Sequence, residues 1–368
     1  MLQLSLNSLV VSGLLLAASA SFAQELNVPE NTTVRDYPKR DRLLIGSSKA
    51  LTPSQLHESY GLRVKISEEY QQTISERDGN EVEINTPQTS ADISYGWQSL
   101  TVGLGLKYSD AEVDADTALS EDYINRKTVA QLAYTFGENW TLGSSLEHNW
   151  LDVRQSSVAT SDSFEYEFSR LTVGLSYHTE KLEFGISRTG AAAASSVLEA
   201  GTRGDSLSLA ELGRADRRDI YLPTMTTVFG RGNLTQNFSL LSSVTVAEYD
   251  DNMRGAVSAF DDANTEDLIS ARVSGVYWTD SHSHITLAAE YKGGAVATGF
   301  EEESLLGYRF ANTLGASLEG VFAIDRRIYL GARVAYLQGE NDITDETGTE
   351  VAIDEQSTRV GGFIGVKI

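Results

Sequence analysis

The chain contains no cysteine, which excludes disulfides, thiolate metal sites, cysteine nucleophiles and a lipid-modified N-terminal cysteine. Long hydrophobic runs are also missing. No stretch reaches the roughly 18 consecutive apolar residues that a membrane-spanning helix needs. Positive charge is scarce: 29 Lys and Arg stand against 52 Asp and Glu, for a formal net charge of −23. That balance excludes nucleic acid as a partner, because phosphates demand a basic surface. The acidic excess has two readings: solubilising loops, or carboxylates that bind divalent cations bridging to anionic lipid headgroups. Histidine is limited to five residues. His282 and His284 sit in Asp280-Ser-His-Ser-His, a turn with no geometric reason to form a triad, while Glu147 and His148 are strand neighbours that point to opposite faces. No enzyme activity and no cofactor are expected. The acidic strings at 110–116, 250–252 and 341–346 lack the glycine and distal glutamate of an EF-hand, so no metal site is assigned.

What the chain does have is a two-residue alternation recurring in stretches of about ten residues from Leu62 to Ile368. Leu100, Val102, Leu104, Leu106 and Tyr108 alternate with Thr101, Gly103, Gly105 and Lys107; Val360, Ile364, Val366 and Ile368 alternate with Arg359, Gly361, Gly365 and Lys367. Strands of about 9–11 residues are the length that crosses a bilayer when tilted. Residues 1–23 carry no Asp, Glu, Lys or Arg, contain the run LVVSGLLLAA and end in Ser21-Phe22-Ala23, the pattern of a secretory signal peptide. An exported chain without a spanning helix crosses a membrane as a closed barrel or not at all, since hydrocarbon leaves no water for unpaired strand edges. The mean hydropathy of −0.23 fits a barrel whose inner face and loops are polar.

The alternation predicts an all-β, closed antiparallel transmembrane barrel of about fourteen strands, with twelve as the competing count. They fall at 61–73, 87–97, 99–109, 126–136, 140–151, 165–177, 181–188, 218–229, 237–249, 267–278, 284–295, 304–322, 328–338 and 357–368. Connections alternate between short turns and the long polar loops 110–125, 152–164, 189–217, 250–266 and 339–356, which places turns at the periplasm and loops outside. Residues 59–368 form the barrel, and residues 24–58, with Pro29, Pro38 and Pro53, a periplasmic extension or plug. Trp97, Phe136, Trp140, Tyr177, Phe229, Phe238, Trp278, Phe322 and Tyr329 flank the short turns, and Tyr108, Trp150, Tyr249, Tyr291 and Tyr336 the long loops, as two interfacial girdles. Pro223, with apolar residues on both parities, marks 218–229 as bulged or late-starting. Glu165 and Glu167 share the lipid parity of Leu171, Val173 and Leu175, so they lie above the membrane or a bulge switches the register.

With signal peptide, strand length, turn asymmetry and girdles together, the chain resembles the Gram-negative outer-membrane β-barrel family, broadly porin-like. The resemblance implies location in the cell outer membrane, contact with its lipid and lipopolysaccharide, and insertion by the barrel-assembly machinery. Members commonly end on an aromatic residue; this chain ends on Ile368, with Phe363 five positions earlier. Fourteen strands and a non-β N-terminal extension also resemble the long-chain fatty-acid transporter group, although Asn27-Val-Pro-Glu-Asn31 stands where that group has an Asn-Pro-Ala segment in its hatch.

On the lumen parity stand the bases Arg63, Lys65, Lys107, Arg170, Arg272, Lys292, Arg309, Arg333, Arg359 and Lys367, and the acids Glu69, Asp92, Glu147, Glu183, Glu290 and Glu319. They read either as an anion-favouring filter or as ion pairs that brace the wall. Loop 189–217 starts with an alanine run and carries Asp205, Leu207, Leu209 and Leu212, a short helix from an Asp205 N-cap to Gly213 that would fold inward as a constriction. The leading expectation is a passive pore for small hydrophilic solutes, anions favoured. The alternatives are a plugged barrel carrying hydrophobic compounds, and a structural or adhesive surface barrel. The sequence leaves the oligomeric state open.

Overall fold

The computed structural model describes residues 61–367 except 78–79, 98, 116–118, 138, 158–160, 180, 202–216, 236, 249–267, 280–282, 294–295, 298–307, 310–312, 326 and 345–349. Among the described residues the elements are all strands. One tall set comprises β1 (Gly61–Arg77), β2 (Asn80–Trp97), β3 (Leu100–Ala115), β4 (Leu119–Phe136), β5 (Trp140–Ser157) and β6 (Ser161–His178). Shorter strands follow: β7 (Leu182–Thr189), β8 (Ala192–Gly201), β9 (Arg217–Leu222), β10 (Thr224–Asn233), β11 (Phe238–Glu248), β12 (Leu268–Trp278) and β13 (His284–Gly293). After the two-residue strands β14 (Val296–Ala297) and β15 (Tyr308–Arg309) come β16 (Thr313–Ala323), β17 (Ile328–Thr344) and β18 (Glu350–Lys367).

The strands pair antiparallel with their sequence neighbours, and β1 closes onto β18 from Arg63–Lys367 to Arg77–Ile353, giving a closed barrel of 14 strands. Closure satisfies every edge that hydrocarbon would leave bare. The outer face is apolar because the alternation is unbroken: Val102, Leu104 and Leu106 are exposed while Thr101 is buried, and Leu314, Leu318 and Phe322 repeat the pattern on β16. Trp97, Phe136, Trp140 and Phe322 stay exposed near the turns, with Tyr108, Tyr291 and Tyr336 at the other rim. Phe229, Trp278 and Tyr329 depart from the expected girdle. All three are buried and belong to the interior, because their parity is that of Arg231, Ser274 and Arg333.

Four strand expectations need correction. The strand expected at 218–229 is two elements split at Pro223, which has no N–H for a ladder: β9 pairs with β8, and β10 is the barrel strand. The strand expected at 304–322 begins at Thr313, so Arg309 lies not on the barrel wall but opposite Val296 in the small β14–β15 ribbon. The alanine run after Gly190 is extended in β8 rather than loop. Finally, much of the loops at 110–125, 152–164 and 339–356 is strand: β3 to β6, β17 and β18 run 16–18 residues and stand well above the 8–11 residues of β7, β10 to β13 and β16. The segments 1–23 and 24–58, and the constriction residues Asp205, Leu207, Leu209 and Leu212, lie outside the described residues.

Candidate functional site: the barrel interior

The inward parity carries three kinds of surface. Near the turns of β12, β13, β16 and β17, Val276, Trp278, Val321 and Tyr329 are fully buried, with Leu241, Ala323 and Phe363 packed against them. The Trp278 indole N–H donates to Ser239 Oγ at 3.3 Å, which meets the polar end of an otherwise apolar group. Phe363 faces inward beneath the Lys65 ammonium, 4.7 Å from the ring centroid, and lies over Gly331 so closely that a Cβ there would overlap the ring.

The middle of the barrel is a charge belt. Arg272 lies across from Glu290, with Nη1 3.9 Å from Oε2, and within electrostatic reach of Glu319, Arg333 and Arg359. Arg333 reaches Glu69 at 3.7 Å, spanning β17 to β1 across β18, where Gly361 leaves room between them. Glu319 faces Arg333 in register and is almost fully buried. On the other side Lys127 Nζ binds Glu147 Oε2 at 2.7 Å, and Asn149 donates to the second oxygen at 2.8 Å. Glu183 and Arg231 pair in register on β7 and β10, both buried. Arg63, Lys65, Lys107, Lys292 and Lys367 also fall on the inward parity of their strands. The belt therefore brings together the sequence-predicted Arg272, Glu290, Glu319, Arg333 and Arg359, and leaves Arg309 outside. Lys127 and Arg231 were missed. Lys127 shares the parity of Gln131 and was readable; Arg231 lay past the misplaced strand end at 229.

The loop end is different. On the tall wall Ile84, Ala111, Tyr123, Leu151 and Tyr166 point inward and are 1–4% exposed. Their outward neighbours are polar: Arg126 binds Asp152 at 2.9 Å, and His148 binds Glu167 at 3.1 Å and Ser169 at 2.7 Å beside Trp150. Glu165 and Glu167 thus lie above the apolar band in an unbroken β5–β6 register, without the bulge held as the other option. Glu147 and His148 do point apart, one into the barrel and one out. Serine and glutamate both touch the imidazole, but the Glu167 side chain is 64% exposed, and this outward network reads as a solvated rim rather than a buried triad.

Between β6 and its next neighbours the ladder is interrupted. Pairing of β6 with β7 covers Thr172 to His178, and pairing with β8 resumes only at Phe164. Arg170 fills the break: its Nε donates to Gly190 O at 3.2 Å and its Nη2 to Pro223 O at 2.7 Å.

Solved structures with this barrel fold exist. The toluene transporter TodX of Pseudomonas putida superposes with a TM-score of 0.59 at 11% identity, over 90% of this chain and 95% of that one. The chain has the fold of the outer-membrane barrel channels. A Pseudomonas aeruginosa FadL homologue superposes at 0.60 with 9% identity, over 86% and 92% of the two chains, and the toluene transporter TbuX of Ralstonia pickettii at 0.56 with 10% identity, over 86% and 92%. No known protein family and no curated protein matches the sequence. At such identities the likeness shows the fold alone.

Proposed function

We propose that this barrel is an outer-membrane channel for small hydrophobic compounds, not a passive pore for hydrophilic solutes. The observation that carries the reading is the set of apolar side chains on the inner parity at the loop end, Ile84, Tyr123, Leu151 and Tyr166, packed out of water beside a strip of Gln71, Thr73 and Ser357 that is hydrogen-bonded to itself. A water-filled pore would keep its mouth polar all round, whereas an apolar solute that enters between these side chains gains by leaving water, at about 25 cal/mol per Å² of apolar surface covered. The charge belt supports the same reading. Arg272 and Arg333 meet Glu290 and Glu69, and Lys127 meets Glu147, so these charges brace the wall instead of presenting a one-sign filter. Barrels of the same fold are named for toluene and for monoaromatic hydrocarbons. The main expectation from sequence, an anion-favouring hydrophilic pore, gives way to its alternative.

The test is uptake of radiolabelled toluene, at concentrations well below saturation, by Gram-negative cells carrying the barrel, against cells with empty vector. Faster toluene uptake with unchanged sugar permeability is expected. Unchanged toluene uptake, together with steady ion conductance of the refolded protein in planar bilayers, would restore the hydrophilic pore.

A further inference from the structure

The two strands that flank the wall break are continuous with each other. Stepping three residues along each strand from the rung Met225–Thr189 leads to Leu222–Ala192, so β7–β8 and β9–β10 form one two-stranded ribbon in a single register. Against β6 the same ribbon slips. From Thr172–Thr189 to Phe164–Leu198 there are eight steps along β6 but nine along the ribbon, and the register shifts again between Ser163 and Phe164. An extra residue on one side of a ladder bends that strand. Strand pairing lapses at Gly190–Ala191 on one strand and at Pro223 on the other; Gly190 N–H still bonds Leu171 O in the lower register, so the extra residue lies beyond Gly190. Above it, the ribbon is laddered to β6 by the three rungs Asp162–Gly201, Ser163–Ala200 and Phe164–Leu198.

We infer that β8–β9 is a hinged flap on the rim of the mouth and that Arg170 is the positioning residue that pins its hinge. The guanidinium holds one carbonyl from each hinge strand, Gly190 O and Pro223 O, just past the main-chain bond from Gly190 N–H to Leu171 O at 2.9 Å, and so ties the second strand to β6 as well as the first. Only a planar fork can do this. A lysine ammonium at the same place is a point donor on a flexible stem and lacks the rigid geometry for two carbonyls. Arg170 sits one inward position below Phe168 and two below Tyr166, at the base of the apolar mouth, and its cross-strand neighbour Glu147 is held by Lys127 and Asn149. A flap hinged there controls access to the mouth, and in that respect the inference rests on the proposed function.

The lack of native cysteine makes the test direct. A Ser163→Cys/Ala200→Cys pair reports docking of the flap through its rate of disulfide formation under mild oxidation in the refolded, full-length protein. With Arg170 present, crosslinking should be fast and near-complete. In the Arg170→Gln background it should slow about tenfold, the scale of losing a hydrogen bond from a charged donor. Arg170→Lys should behave like the glutamine variant. Heat-modifiable gel migration checks that each variant is a folded barrel. Equal crosslinking rates in the arginine and glutamine backgrounds, full rescue by lysine, or no crosslinking with Arg170 in place would each overturn the hinge. Toluene uptake is read separately: a flap that crosslinks as expected in a barrel that passes no toluene would sink the transport reading and leave the hinge standing.

Discussion

Arginine placed on the outer face should destabilise the barrel far more than arginine one residue away. Leu104 is the central residue of the outward run Val102, Leu104 and Leu106, and it is 45% exposed on a face that meets lipid in the membrane. It lies two outward positions from the exposed Tyr108 that ends the band, and its cross-strand partners are Ile93 and Ala130. Near mid-membrane an arginine costs about 2–4 kcal/mol, a 30- to 1,000-fold loss in the folded fraction. Gly103 points inward, where an added Cβ would meet Gln131 Oε1 at 3.3 Å, a flexible polar end that can give way. Its arginine would end among the belt charges and cost well under half as much. The assay is equilibrium urea unfolding in lipid vesicles followed by heat-modifiable migration. The expected order is wild type, then Gly103→Arg, then Leu104→Arg. Equal midpoints for the two variants would show that the alternation does not divide lipid from lumen, and the assignment of the inner residues would fall with it.

Two further outcomes follow from single contacts. Gly331→Ala must displace the Phe363 ring and should cost about 1–3 kcal/mol as an overpacked core site, with part of the loss recovered when Phe363→Leu is added; the same urea titration reads both. In the turn before β17 the Asp325 carboxylate accepts the main-chain N–H groups of Arg327 at 2.6 Å and Ile328 at 2.8 Å, which hold its pKa below the ordinary value. Its stabilising effect is therefore present above the unfolded value of about 3.9 and lost as pH falls through the lower folded value. Asp325→Asn should lower the urea midpoint at neutral pH and match wild type in strong acid, and a gap that persists in acid would refute the assignment.

The strand count and parity were legible because a lipid-facing strand must be apolar at every second residue over its whole buried length. Even glycine keeps that rhythm, as Gly103 and Gly105 show. Three things were hidden. Pro223 reads as a flaw in one strand, whereas pairing shows it joining two, and only the partners Ala192 and Thr189 reveal that the register runs straight through it. The charge belt was readable as a set of residues but not as pairs, since the Glu69–Arg333 contact joins residues more than 260 positions apart through barrel closure.

The third hidden feature explains why the tall wall looked like loops. Up to about Tyr108 and Trp150, apolar residues point out and polar ones in; beyond them the pattern inverts, with Arg126, Asp152 and Glu167 outward and Tyr123, Leu151 and Tyr166 inward. Strand geometry does not change there, but the solvent does. Below that line the outer face meets hydrocarbon, and above it water, so the same two-residue period must switch sides to keep apolar groups out of water. The girdle of Tyr108, Trp150 and Tyr336 marks where the membrane ends. It follows that the inward apolar residues of the tall wall stand above the bilayer. A wall that only needed to stand in water could have been polar on both faces or have stopped at the membrane, as β7 and β10 to β13 nearly do. Keeping one side tall and apolar inside is what the proposed passage of hydrophobic compounds would use, a lining that favours them over water before the charge belt.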